Sequence, residues 1–117
     1  MNDQTTEQAI QAAGADKAPR VTPADIEANI VSEHYFTAAH GVVGNCDEDG
    51  DIPEALDLLT FCVLVLRNGF TVTGESACAS PENFNAEIGR RIAREHAVAK
   101  CWPLMGYALK ERLSAQQ

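Results

Sequence analysis

Two arginines one helical turn apart are the residues best suited to binding chemistry in this sequence. Arg90 and Arg94 lie in a helical pattern, on the face opposite its apolar residues. Guanidinium groups at this spacing can hold a phosphate through paired hydrogen bonds. Tyr107, further along the same helix, offers an aromatic ring for stacking. The pattern predicts a site for a small phosphorylated ligand such as a cyclic nucleotide, with a solvated helix face as the alternative.

A second candidate anion site lies where the preceding strand meets this helix. Gly74 and Ser76 are small enough to let a ligand or another backbone approach closely. The N-terminus of the helix would supply unpaired N–H groups to an anion. Ser80 and Glu82 compete for the same N–H groups as N-cap and first-turn acid. An anion site and a self-capped helix both remain open interpretations.

Acidic residues are concentrated in one stretch of the chain. The net charge is −8, and residues 21–60 hold nine of the 17 acids but no lysine or arginine. The predicted acidic surface is carried mainly by Asp47, Glu48, Asp49 and Asp51. Such a surface could engage a basic host protein, and the net charge makes nucleic acid an unfavourable partner. The alternative, which charge segregation more often indicates, is that this front half docks on the mildly basic residues 61–117.

Neither a metal site nor a catalytic centre is indicated. The acidic loop matches part of a calcium-binding loop from Asn45 onward, but Leu56 stands where a bidentate glutamate is required. The four cysteines form no CxxC pair and are expected to be small buried side chains. No nucleophile–base motif accompanies the three histidines. We therefore expect a binding protein with no metal or cofactor, and not an enzyme.

Local signals define the elements before the predicted helix of Arg90. Residues 1–20 are polar and are expected to form a mobile tail. Thr22 and Pro23 begin a helix, because they fit the N-cap and first helical positions. Apolar spacing extends this helix to about Gly41.

A β-hairpin is predicted around Asn68-Gly69, which favours a two-residue type I′ turn. The strands run over about 60–66 and 70–78, with Leu66 opposite Thr71. The first strand is apolar on both faces, so we expect burial on both sides. Because two strands alone are marginal in water, homo-oligomerisation is also expected.

The long C-terminal helix completes the predicted α+β fold. It should begin at Ser80-Pro81, and Pro103 predicts a kink or break near residues 100–103. The fold is thus an N-terminal helix, a two-stranded antiparallel hairpin and a long kinked helix, forming one domain over residues 21–117. No stretch reaches the ~18–20 apolar residues that span a bilayer. The N-terminus does not resemble a secretory signal, so we expect a cytoplasmic protein.

Several residues in fixed order make the chain resemble a known family. They include Asn68-Gly69-Phe70, Ser76-Ala77, Asn83-Phe84, Glu87-Ile88-Gly89, Trp102, Gly106-Tyr107 and the run IVSEHYFTAAHGV at residues 30–42. This run resembles the small tailed-phage proteins of the gene-product forty-nine / gene-product sixty-six family. The resemblance implies a phage or prophage protein of the bacterial cytoplasm, without an assigned reaction or functional residue. We expect an accessory protein that acts by binding, in counter-defence or host takeover, through an acidic surface that engages a host protein. An oligomer that sequesters a small phosphorylated ligand is the alternative.

Overall fold

Three antiparallel strands carry a long helix on one face in the computed structural model, which describes residues 2–43 and 51–117. The helices are α1 (Asp3–Ala12), α2 (Pro23–Asn29), α3 (Ala38–Val43) and α4 (Ala86–Ala115). The strands are β1 (Ile30–Thr37), β2 (Leu59–Leu66) and β3 (Thr71–Ala77), and they lie in the order β1–β2–β3. Short 3-10 helices occupy Glu54–Leu58 and Pro81–Asn83. The predicted α+β class is confirmed, but the sheet has three strands and not two.

The start of α2 follows the sequence signals closely. Thr22 Oγ1 accepts the Asp25 N–H at 3.1 Å, and the Asp25 carboxylate accepts the Thr22 N–H at 2.9 Å. This reciprocal pair is the capping box, and Pro23 lies in the first turn as predicted. The helix ends at Asn29, however, about a dozen residues before the predicted end at Gly41.

Residues 30–37 form strand β1, so the prediction of helix over this stretch is wrong. The strand pairs antiparallel with β2, and Phe36 lies opposite Phe61 with ring centroids 5.5 Å apart. The β-branched Ile30 and Val31 have restricted side-chain rotamers that favour a strand. Pairing with β2 therefore overrides the helical spacing of the apolar residues. It also makes β2 the central strand of the sheet.

The hairpin turn holds three residues where two are predicted. The Gly69 N–H donates to the Leu66 carbonyl at 2.9 Å, and the Leu66 N–H donates to the Phe70 carbonyl at 2.8 Å. Positive φ occurs at Gly69 (88°) but not at the residue before it, whereas a type I′ turn needs positive φ at both central residues. The turn is therefore type I followed by a left-handed glycine. The register is shifted by one residue, so Val65, and not Leu66, lies opposite Thr71.

The core lies between α4 and one face of the sheet. The buried residues of β2 are Thr60, Cys62, Leu64 and Leu66. Cys62, Leu64 and Leu66 share one core cluster with Ala93, Ala97 and Cys101 of α4. The alternate residues of β2 are only half-buried, so the prediction that β2 is buried on both sides holds for one side. The prediction of buried cysteines is confirmed for Cys62 and Cys101, both 0% exposed.

Helix α4 lies in direct backbone contact with β3 because Gly74 has no side chain. A Cβ atom there would stand 2.0 Å from the Ala93 carbonyl oxygen and 2.4 Å from the Ala97 nitrogen. Both distances are shorter than any real contact of a Cβ atom. The space at Gly74, predicted to admit a ligand or another backbone, is therefore filled by the backbone of the helix.

The long helix begins later than predicted. The Asn85 side chain caps it by accepting the Ile88 N–H at 3.0 Å, while residues 81–83 form a separate 3-10 turn. Helix α4 then continues for 30 residues through Pro103. The predicted break does not occur, and the kink remains a prediction. The helix contributes to a long molecule with extents of 61 × 30 × 17 Å.

Helix α1 occupies half of the segment predicted to be a mobile tail, residues 1–20. Asn2 caps it by accepting the Thr5 N–H at 2.7 Å, and none of its residues is buried. A domain boundary at residue 20 remains a prediction. No helix in the described part of the chain has the length and hydrophobicity needed to cross a membrane.

Replacing Gly74 with alanine should destabilise the protein by about 1–3 kcal/mol, because the new methyl group pushes α4 away from the sheet. Gly106→Ala is the control with the same chemical change. Gly106 lies in α4, the helix that covers Gly74, and a Cβ there meets nothing within 4 Å. The control should raise the free energy of unfolding by about 0.5–1 kcal/mol through helix propensity. Urea unfolding measures both changes. Equal effects of the two variants would contradict the close contact.

Candidate functional site

Arg94 is occupied by two carboxylates from the acidic front half of the chain. Its Nη1 and Nη2 donate to the two oxygens of Glu27 at 3.1 and 2.7 Å, and its Nε donates to Glu33 at 2.9 Å. The expected docking of the front half on the basic back half is therefore observed at this point. A phosphate at Arg94 would compete with these two carboxylates for the guanidinium.

The same cluster perturbs two ionisable groups on β1. The hydrogen bond from Arg94 lowers the pKa of the Glu33 carboxyl, against a smaller opposing effect of burial. Tyr35 donates its hydroxyl to the other oxygen of Glu33 at 3.1 Å. Burial, followed by this hydrogen bond, raises the pKa of Tyr35 to about 12. The three residues therefore form a charged link between β1 and α4.

Arg90 faces a different environment. It lines a small cavity of about 90 Å³ together with His40 and Phe84. The Thr37 N–H donates to Nδ1 of His40 at 3.0 Å, which fixes the ring in this cavity. Tyr107 is 70% exposed and lies roughly 20 Å from Arg94 along the helix axis at 1.5 Å per residue. The structure therefore does not bring Arg90, Arg94 and Tyr107 together.

The candidate anion site at the end of β3 is also altered. Ser76 lines a cavity of about 140 Å³ that includes Asn85 and Gly89 of α4. The Asn85 side chain, and not Ser80, accepts an N–H group in the first turn of α4. Gly74 is covered by the helix backbone. Ser76 thus stays beside a cavity, and the helix N-terminus is capped by its own chain, although by Asn85 and not by Ser80.

Most of the predicted acidic surface lies outside the described residues. This applies to Asp47, Glu48 and Asp49. Asp51 is described and exposed. The first half of the partial calcium pattern, residues 45–50, also lies outside the described residues. Within residues 2–43 and 51–117, no three His, Cys, Asp or Glu side chains are grouped closely enough to hold a metal ion.

Three arginines line a cleft that sequence reasoning did not find. Arg20 precedes α2, Arg67 lies in the hairpin turn, and Arg112 lies near the C-terminus of α4. The cleft has a volume of about 370 Å³. Its other lining residues are Val21, Asp25, Ala28, Asn29, Met105, Ala108 and Leu109. We call it the three-arginine cleft.

The charge of the three-arginine cleft is positive. Its single carboxylate, Asp25, is engaged in the capping box of α2. The guanidinium of Arg20 is held by Glu7. Within the described part of the chain, Arg67 and Arg112 have no ion-pair partner. Two guanidinium groups are thus available to an anion, which they can bind through charge-assisted hydrogen bonds.

The cleft was missed because its residues are distant in sequence. Each arginine belongs to a different element, and none lies in a recognisable motif. They meet only because the last turns of α4 pass beside α2 and the hairpin turn. The only sequence signal was the small excess of basic residues in the back half.

A comparison with protein families gives one match. The model of the phage protein family described as N4 Gp49/phage Sf6 gene 66 matches residues 21–113. The matched range contains Arg67 and Arg112 but begins just after Arg20. No curated protein and no solved structure matches the chain significantly.

Glu33→Gln should lower stability at neutral pH and have little effect in acid. The folded-state pKa of Glu33 is lowered. The ionised carboxylate therefore contributes to the free energy of unfolding above about pH 4.3, the ordinary glutamate pKa. That contribution is lost as the pH falls through the lower folded value. Glu33 is 41% exposed, so solvent screening limits the loss at pH 7 to about 1 kcal/mol or less.

Urea unfolding at pH 7 and pH 3 tests this expectation. Glu82→Gln is the control, since Glu82 lies outside the Arg94 cluster and has no ion pair in the described residues. An equal loss for Glu33→Gln at both pH values would show that its charge does not stabilise the fold.

Proposed function

The chain belongs to the N4 Gp49/phage Sf6 gene 66 family of phage proteins, and we propose that it acts by binding a small phosphorylated ligand in the three-arginine cleft. The observation that carries the proposal is that Arg67 and Arg112, which have no ion-pair partner among the described residues, line one cavity of about 370 Å³. Small-molecule sites have volumes of about 300–1,000 Å³. A nucleotide or cyclic nucleotide is the ligand class that matches this charge and size.

The overall charge favours a small anion over a nucleic acid. The protein carries a net charge of −8, so a long polyanion would be repelled by most of its surface. A small ligand meets only the local field of the cleft. Val21, Met105 and Leu109 provide apolar contact beside the arginines.

The chemistry of the cleft supports binding without turnover. Arginine side chains remain protonated at neutral pH, so they neutralise a phosphate but cannot exchange protons with it as an acid–base catalyst does. A phage protein with such a site would sequester a phosphorylated host signal. We place this activity in the cytoplasm of an infected or lysogenic bacterium, in counter-defence or host takeover.

A host protein bound through the acidic surface is the second candidate. Asp51, Glu54 and Asp57 are exposed in and beside the 3-10 helix that precedes β2, which favours an acidic face there. Glu27 and Glu33 are engaged with Arg94 and are less available to a partner. This candidate requires no contribution from the three-arginine cleft.

We also propose that the protein forms a homo-oligomer, because apolar side chains of α4 are exposed and not because the sheet lacks a strand. Strand β1 supplies a third strand, so the sheet no longer needs a second chain for that purpose. Leu104 and Tyr107, however, expose apolar surface on α4, at 39% and 70%. A second copy could cover this surface, and light scattering of the purified protein would show the assembly.

The double variant Arg67→Ala/Arg112→Ala should bind inorganic pyrophosphate and cyclic nucleotides at least about tenfold more weakly. Hydrogen bonds to charged groups are worth about 1.5–3 kcal/mol each, and the variant removes two guanidinium groups. Arg90→Ala is the control, because Arg90 lines a separate cavity. Isothermal titration calorimetry measures the affinities.

Two outcomes would contradict the assignment of the ligand to the three-arginine cleft. Equal weakening by Arg90→Ala would favour the site predicted from sequence. Unchanged affinity in the double variant would rule out the cleft. A variant with Asp47, Asp49 and Asp51 changed to Asn should retain pyrophosphate affinity, and loss of a host-protein complex in that variant would support the second candidate.

A further inference from the structure

Helix α1 is attached to the rest of the protein mainly by polar contacts. The Glu7 carboxylate forms a two-point ion pair with the Arg20 guanidinium, one of its hydrogen bonds being 2.8 Å long. The Asp3 carboxylate accepts the indole N–H of Trp102 at 3.1 Å. None of the residues of α1 is buried. The helix therefore contributes little apolar burial to hold it in place.

Two cavities separate α1 from the body of the protein. One has a volume of about 580 Å³ and lies between the start of α1, Pro23 and the α4 residues around Val98 and Trp102. The other, of about 200 Å³, lies between Ile10, Val21 and Trp102. Segments with few buried contacts open at low free-energy cost.

The ion pair of α1 also involves the three-arginine cleft. Arg20 lines that cleft, yet both of its terminal nitrogens donate to Glu7. A phosphate that uses the same face of the guanidinium must displace the carboxylate. Glu7 thus occupies, within the chain itself, the position of an anionic ligand.

We propose that α1 is a displaceable strap, in which Glu7 holds Arg20 until a phosphorylated ligand in the three-arginine cleft takes its place. This inference rests on the proposed ligand site and adds its regulation. The strap lies outside the range shared with the family, which begins at residue 21. The proposed control of the cleft therefore comes from a segment outside the family match.

Release of the strap would change its own structure. A helix of ten residues is marginal alone in water, since isolated helices need about 12–15 residues. Gly14, with a φ of 69°, forms the turn after α1. Residues 13–19 connect α1 to Arg20. Because coupling is reciprocal, ligand binding weakens the docking of α1 and undocking strengthens ligand binding.

The test uses the full chain and inorganic pyrophosphate as the probe. Glu7→Gln removes the competing charge and should bind pyrophosphate about three- to tenfold more tightly than the unmodified protein. Glu82→Gln, the same chemical change at a residue outside α1 and the cleft, should bind as the unmodified protein does. Calorimetry measures the affinities.

Two further readouts follow the strap without any ligand. The protein has one tryptophan, and its emission should shift to longer wavelength in Glu7→Gln as α1 leaves Trp102. Trypsin should cleave after Lys17 and Arg20 faster in this variant. Saturating pyrophosphate should produce both changes in the unmodified protein.

The possible outcomes separate the strap from the ligand site. Tighter binding by Glu7→Gln with faster cleavage supports the strap. Equal pyrophosphate affinity in Glu7→Gln and the unmodified protein overturns the strap and leaves the proposed site standing. Absence of pyrophosphate binding in both proteins overturns the competition and the ligand site together.

Discussion

The contact between α4 and β3 at Gly74 is the constraint on which the rest of the structure depends. Two helix backbone atoms occupy the space that a side chain would need, so the helix axis lies as near the sheet as the backbone allows. The small Ala93 and Ala97, both 0% exposed, complete this contact. The contact fixes the first half of α4 against the sheet, and the helix continues without a break through Pro103. Its second half carries Met105, Leu109 and Arg112 to the cleft beside α2.

Charge is used in two different ways along α4. Near the middle of the helix, Arg94 is paired with two carboxylates and joins the helix to the front half of the chain. Near its end, Arg112 shares a cleft with Arg67 and has no ion-pair partner in the described residues. The first arrangement stabilises the fold, and the second is suited to a ligand. Arg94, one of the two arginines predicted to bind phosphate, instead holds the front half of the chain against α4.

Local signals in the sequence predicted those features that depend on neighbouring residues. The capping box at Thr22, the hairpin around Gly69 and the buried cysteines of the core all belong to this group. Strand β1 was missed because pairing with β2, a contact between distant segments, decides its conformation. The hairpin register was off by one residue because the Asn-Gly pair fits both a two-residue and a three-residue turn.

The candidate site could not be read from the sequence, for the same physical reason. Arg20, Arg67 and Arg112 acquire a common role only through the path of α4, which no local pattern specifies. The pairing of Arg94 with Glu27 and Glu33 joins residues 67 and 61 positions apart. Equal spacing on a helix face made Arg90 and Arg94 look alike, although their surroundings differ completely. Side-chain partners, and not sequence spacing, determine which arginine is free to bind.

The central claim is that this phage protein holds a small phosphorylated ligand. Native mass spectrometry of the protein isolated from its bacterial host, before and after mild denaturation, tests it most directly. The account predicts a bound phosphorylated molecule that is released intact when the protein unfolds. A protein that carries only a host protein, or nothing, would contradict the claim.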